Sequence, residues 1–218
     1  RMNRTRTRPL PSGSISIRHA LIFALALFIV GTGILYIGTN NTALLLGFIA
    51  LGWYNGVYTP LKRITSLAVI PGSLIGAIPP LVGWVASGEL LSDPRILVFS
   101  FLLFIWQIPH FWILAIKFKD DYAKGEFPVL PVVLGNEKTF AQILGYTFLY
   151  IAVALAAPWF MKTSWLYLAL ILPFVGFILK TLYVYIKTKG ERWFGLFMWL
   201  NFSMLAFLFI PALDKWRH

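Results

Sequence analysis

Apolar residues run together seven times along the chain, at about 20–38, 42–60, 66–86, 96–116, 139–159, 165–186 and 192–212. Each run approaches the roughly 20 residues that carry a helix across a hydrocarbon core. Ahead of them, residues 1–18 are polar and rich in turn formers, with Arg1, Arg4, Arg6, Arg8 and Arg18 around Pro9, Pro11 and Gly13. The pattern predicts an all-α fold, a polytopic membrane helix bundle of about seven spans. It reads as a single domain over 1–218, with a basic loop at 1–18 and the bundle at 20–212. The first run shows no small-residue cleavage site and further spans follow it, so it reads as a span and not as a signal peptide.

Composition agrees. Hydrophobic residues make up 59% of the chain and charged residues 12%, where a soluble domain carries about a quarter charged residues. The excess apolar surface must face the lipid bilayer. Absence of Cys excludes a disulfide framework, thiolate chemistry and a thiolate metal site. The net charge of +11 does not point to nucleic acid, because no basic stretch sits on a soluble module.

The charge instead sets orientation. Fourteen basic residues fall on alternate connections: the five N-terminal arginines, Lys62, Arg63, Lys117, Lys119, Lys124, Lys138, Lys187, Lys189 and Arg192. The other connections hold four: Arg95, Lys162, Lys215 and Arg217. Basic loops stay on the cytoplasmic side, so the N-terminus is expected inside and most unusual polar residues lie at that face. The third run carries Pro71, Pro79 and Pro80 with Gly72 and Gly76. Close bundle packing and a kinked helix lining a substrate cleft both fit these residues.

Three polar clusters meet at the basic face. Arg4 and Arg8, four apart, share a side if their segment is helical, and they serve either a diphosphate or lipid headgroups. Trp53, Asn55, Tyr58, Lys62 and Arg63 close the second run. A cation pair beside a phenol and an amide suits a diphosphate, and it equally suits an interfacial belt. The third cluster is Trp106-Gln107-Ile108-Pro109-His110-Phe111-Trp112, followed by Lys117, Lys119, Asp120, Asp121 and Tyr122. Adjacent carboxylates between lysines suit Mg²⁺ bridging to a diphosphate; local ion pairing at a helix end is the other reading. On an unbroken helix Trp106, His110 and Lys117 share a face. His110 then contacts or ligates a large aromatic acceptor, moves a proton near the reacting centre, or is bonded within the bundle.

Together these clusters resemble the UbiA superfamily of intramembrane prenyltransferases, and within it the branch that farnesylates heme. The likeness is carried by Met2-Asn3-Arg4-Thr5-Arg6-Thr7-Arg8-Pro9-Leu10, Tyr58-Thr59-Pro60-Leu61-Lys62-Arg63, Gly76 to Trp84, and Trp106 to Trp112 running on to Asp120-Asp121-Tyr122 and Leu130-Pro131. The Pro-Pro-Leu-x-Gly-Trp and Trp-Gln-x-Pro-His-Phe-Trp segments separate that branch from those prenylating hydroxybenzoate, naphthoate or chlorophyllide.

The resemblance implies transfer of farnesyl from farnesyl diphosphate to a vinyl group of heme B, with addition of water, giving heme O and diphosphate. It implies Mg²⁺ at a second metal motif, Asp120 and Asp121. Arg4, Arg8, Lys62 and Arg63 would hold diphosphate, with Asn55, Tyr58, Lys117, Lys119 and Tyr122 around it. His110, with Trp106 and Gln107, would face the heme. It also implies nine spans and a first aspartate motif just ahead of the arginine segment, so that the chain reads as cut before that motif, with an inactive fragment as one expectation. A bacterial inner (plasma) membrane is the expected location, ahead of the mitochondrial inner membrane, with a heme A synthase or oxidase assembly factors as downstream partners. The competing readings are a UbiA-type enzyme with another aromatic acceptor and a non-enzymatic transporter or heme carrier.

Overall fold

The computed structural model describes residues 2, 4–161 and 163–215, the last four by backbone only. Arg1, Lys162 and Arg217 of the charge count and Asn3 of the arginine segment lie outside the described residues.

Ten helices and no strand make up the described chain. They are α1 (Ile17–Gly38), α2 (Asn41–Gly52), α3 (Thr59–Leu61), α4 (Val69–Ala86), α5 (Pro94–Lys117), α6 (Lys119–Lys124), α7 (Leu130–Val133), α8 (Gly135–Met161), α9 (Trp165–Lys187) and α10 (Trp193–Lys215). A π-helical stretch, Trp53–Tyr58, joins α2 to α3 without a break. Seven helical segments are long and apolar enough to cross a membrane, the second being Asn41–Leu61. All seven expected spans are present, with ends shifted by no more than a few residues.

Local chemistry fixes where several helices begin. The side chains of Ser16, Asn40, Asp93 and Ser164 each accept a backbone N–H in the first turn of α1, α2, α5 and α9. Such a cap is worth about 1 kcal/mol. Asn40 also donates its amide to the carbonyl of Val85, tying the start of α2 to the end of α4.

The prolines do not interrupt their helices. Pro71 lies in the first turn of α4, where a missing N–H costs nothing. Pro79 and Pro80 lie inside α4, which continues to Ala86, and Pro109 lies inside α5, which continues to Lys117. Trp106, His110 and Lys117 therefore keep their common face.

The core is where α5 packs against α4 and α8, and α10 against α9. Trp112, Tyr150, Tyr167, Tyr185 and Phe207 are fully buried there. Two of the phenols are paired: Tyr150 with the Ser203 hydroxyl at 2.8 Å, and Tyr167 with the Ala154 carbonyl at 3.1 Å. In lipid, such contacts and close packing hold helices together, because apolar burial alone gives little. Helix α1 packs on α2 at the edge, and none of its residues is buried.

Candidate functional site

The basic end of the bundle holds two cavities with a common wall. The wall is Tyr58, Val69 and Phe111, from the π-helical stretch, α4 and α5. On one side is a mouth of about 280 Å³ that takes Arg4, Arg8 and Lys62. On the other is a deeper cleft of about 450 Å³, edged by Trp106, Gln107, His110 and Tyr54.

The cations of the mouth are held by aromatic faces. Lys62 Nζ lies 5.5 Å from the ring centre of Tyr58, which itself stacks on Tyr54 at 5.6 Å. The Arg4 guanidinium sits over Phe118 and Tyr122, at 5.3 and 5.7 Å, and donates to the Tyr122 hydroxyl at 3.3 Å. Its backbone N–H donates to Asp121 Oδ2 at 3.1 Å. Residues 5–13 form successive turns, as in Arg8 N–H to the Thr5 carbonyl, and not the helix that would place Arg4 and Arg8 on one face. Both nevertheless reach the mouth. Met2 is buried beside Gly125, where an added Cβ would come within 2.7 Å of its side chain. Burial pushes the Tyr122 phenol up from its ordinary pKa; the charge and hydrogen bond of Arg4 oppose this, and Asp121 adds to it.

The cleft depends on two glycines of α4. A Cβ at Gly72 would come within 2.7 Å of the Tyr58 ring, and one at Gly76 would fall on the Gln107 carboxamide. The glycines at this spacing therefore seat side chains of the cleft wall. Gln107 Nε2 donates to the carbonyls of Ser73 at 3.1 Å and Leu103 at 2.9 Å, bridging α5 to α4. The His110 ring packs tilted against Trp106 at 4.8 Å and Phe197 of α10 at 4.6 Å, and its Nδ1 is buried with no partner. Trp106 Nε1 donates to the Leu200 carbonyl at 2.9 Å, which anchors this group to α10.

Other expected residues stand apart from these two cavities. Asn55 is exposed and gives its amide to the Leu51 carbonyl of its own helix. Arg63 lines an adjoining opening, with Glu126, that shares Met2, Thr5 and Phe127 with the mouth. Lys117 lies over Trp193 at 5.7 Å. Lys119 is half-buried on α6, Asp120 is exposed, and Asp121 is half-buried. Among the described residues no three of His, Asp and Glu converge as a metal cluster. The two carboxylates do fit an Mg²⁺ ion completed by phosphate oxygens and water, which asks for only one or two carboxylates from the protein. Phe197, packed against His110 from a distant helix, and Tyr54, at the cleft edge, are site residues that the sequence left unmarked.

A cationic mouth opening on an aromatic cleft within a helix bundle is the arrangement of an enzyme that handles an apolar diphosphate in the membrane. The chain belongs to the UbiA prenyltransferase family, whose pattern matches residues 1–204. Three relatives bear the name protoheme IX farnesyltransferase. That of Bdellovibrio bacteriovorus is 44% identical, covering 100% of this chain and 75% of its own length. That of Synechocystis sp. is 38% identical over 98% of this chain and 69% of its own. That of Thioalkalivibrio sulfidiphilus is 38% identical over 96% and 70%. No solved structure matches the chain.

Proposed function

We propose that the chain transfers farnesyl from farnesyl diphosphate to a vinyl group of heme B, with addition of water, giving heme O and diphosphate. The observation that carries the reading is the shared wall of mouth and cleft. It lets the charged and apolar ends of one allylic diphosphate lie in two unlike environments, with the bond to be broken at the boundary. The names of the relatives supply the farnesyl donor and the heme acceptor.

Arg4, Arg8 and Lys62 hold the diphosphate, the arginines through forked donors and the lysine as a compact charge. Asp121 orients Arg4 through its backbone N–H and, with Asp120, presents carboxylates beside the mouth. Asp120 and Asp121 would hold Mg²⁺ there, and it would offset the charge that gathers on the departing diphosphate. Tyr58 and Phe111, at the boundary, present ring faces to the allylic carbon, where they favour positive charge. The basic end of the bundle is cytoplasmic, in a bacterial inner membrane.

The first test is mass spectrometry of products in membranes carrying the chain, given heme B, farnesyl diphosphate and Mg²⁺. It is repeated with the chain joined to the part of the Bdellovibrio relative that it does not cover. Farnesylated, hydrated heme from either supports the reading. Its absence from both, with farnesyl diphosphate bound, points to another acceptor.

The mouth makes a sharper distinction between neighbours. Lys62→Ala is expected to weaken farnesyl diphosphate binding about tenfold or more, as loss of a charge-assisted contact of about 1.5–3 kcal/mol requires. Arg63→Ala, on the adjoining opening, is expected to cost clearly less. Equal losses in a direct binding titration would move the diphosphate out of the mouth.

A further inference from the structure

Hydration of the vinyl group requires a proton acceptor. As farnesyl C1 bonds to the terminal vinyl carbon, diphosphate leaves with the electron pair of the C1–O bond, and positive charge passes to the inner vinyl carbon. A water oxygen then bonds to that carbon, and the water must give up one proton. The acceptor has to border the cleft close to the boundary with the mouth, and it has to be held in place.

His110 meets these conditions. It lines the same cleft as Phe111, which belongs to the wall common to both cavities. Trp106 and Phe197 pack tilted against the ring, with centroids at 4.8 and 4.6 Å. Nδ1 is enclosed without a partner, which leaves Nε2 as the ring nitrogen that can meet a water in the cleft. Gln107 lies one turn earlier on the same cleft. Both hydrogens of its Nε2 are committed to the Ser73 and Leu103 carbonyls, which leaves Oε1 as its remaining polar function, an acceptor. Tyr54 and Tyr58 are the other titratable side chains of the cleft, but a neutral phenol is a much weaker base than an imidazole.

We propose that His110 takes up the proton of the water that adds to the farnesylated vinyl group, with Gln107 accepting the water's second hydrogen. The assignment rests on the farnesyl-to-heme reading. Held in this way, the water turns an oxygen lone pair toward the inner vinyl carbon. Without the base, that carbocation loses a proton from the adjacent carbon and ends as a dehydrated product, lighter by one water.

The test reads the ratio of hydrated to dehydrated farnesyl-heme in membranes carrying the chain, given heme B, farnesyl diphosphate and Mg²⁺. His110→Asn is expected to lower that ratio about 10²-fold, the lower end of what a positioned general base supplies, while total farnesylated heme persists. Phe197→Leu, which removes one of the packed rings and keeps the imidazole, shifts the ratio the same way to a smaller extent. An unchanged ratio in His110→Asn overturns the proposal. So does loss of all farnesylation with farnesyl diphosphate still bound, since that would place His110 before the carbon–carbon bond. If His110→Asn does not reach the membrane, the ratio in Phe197→Leu decides. A wild-type chain that makes no farnesylated heme at all removes the functional reading and this assignment with it.

Discussion

Asp121→Asn is expected to reduce turnover of farnesyl diphosphate by about 10²-fold or more, the loss that follows removal of a group stabilising charge in the transition state. Asn keeps the shape and one acceptor oxygen, so the backbone N–H of Arg4, 3.1 Å from Oδ2, still finds a partner. What disappears is the negative charge, which a cation beside the diphosphate needs. The fall therefore appears in kcat at limiting Mg²⁺ and is partly recovered as Mg²⁺ is raised. Asp120→Asn, at the exposed neighbouring position, follows the same dependence. Kinetics across an Mg²⁺ series separate this from a purely positional role. Near-normal rates in both variants at limiting Mg²⁺, or a loss confined to KM and indifferent to Mg²⁺, would remove the metal assignment.

Gly76→Val is expected to be nearly as damaging, by a different route. The new Cβ would occupy the place of the Gln107 carboxamide. Displacing Gln107 breaks its two bonds to the Ser73 and Leu103 carbonyls and narrows the cleft. Overpacking of this kind costs about 1–3 kcal/mol, and a lost cleft wall removes turnover as well. Gly83→Val in the same helix is the control, because nothing lies within 4 Å of a Cβ there. Thermal unfolding in detergent and product formation should both fall for Gly76→Val and hold for Gly83→Val. Equal behaviour of the two would mean that the cleft tolerates the change and that Gly76 has no seating role.

The spans were legible because hydropathy over some twenty residues does not depend on which way any side chain points. The site was legible only in part, because it depends entirely on direction. Lys62 and Arg63 look equivalent in the sequence, yet neighbours on a helix point about 100° apart, and only Lys62 meets the mouth. Asn55 shares a cluster with Tyr58 in the sequence but turns its amide back on its own helix. The Trp-Gln-x-Pro-His-Phe-Trp segment marked one side of the cleft. Its other partner against His110, Phe197, is supplied by a helix 87 residues further on, and no local spacing announces such a meeting. Pro109 put the register of its segment in question, and α5 continues through it to Lys117, as α4 does through Pro79 and Pro80; in lipid, neighbouring helices can satisfy the backbone groups that such prolines free.

The π-helical stretch Trp53–Tyr58 works as a phase adjuster for the second span. Such a stretch is a helix carrying one residue more than its α-helical turns require. Everything after it is rotated relative to everything before it, so the lipid-facing pattern of α2 and the inward aim of Lys62 are set independently. Deleting one residue here would restore a plain α-helix and leave Lys62 aimed at the mouth, whereas a plain α-helix through all the residues present would swing it away by about 100°. A relative with the same residues but no widened turn could keep every charge of the motif and still present a different one to the diphosphate. Comparisons of motif composition would miss such a change, whereas the backbone hydrogen bonds between Trp53 and Lys62 would reveal it.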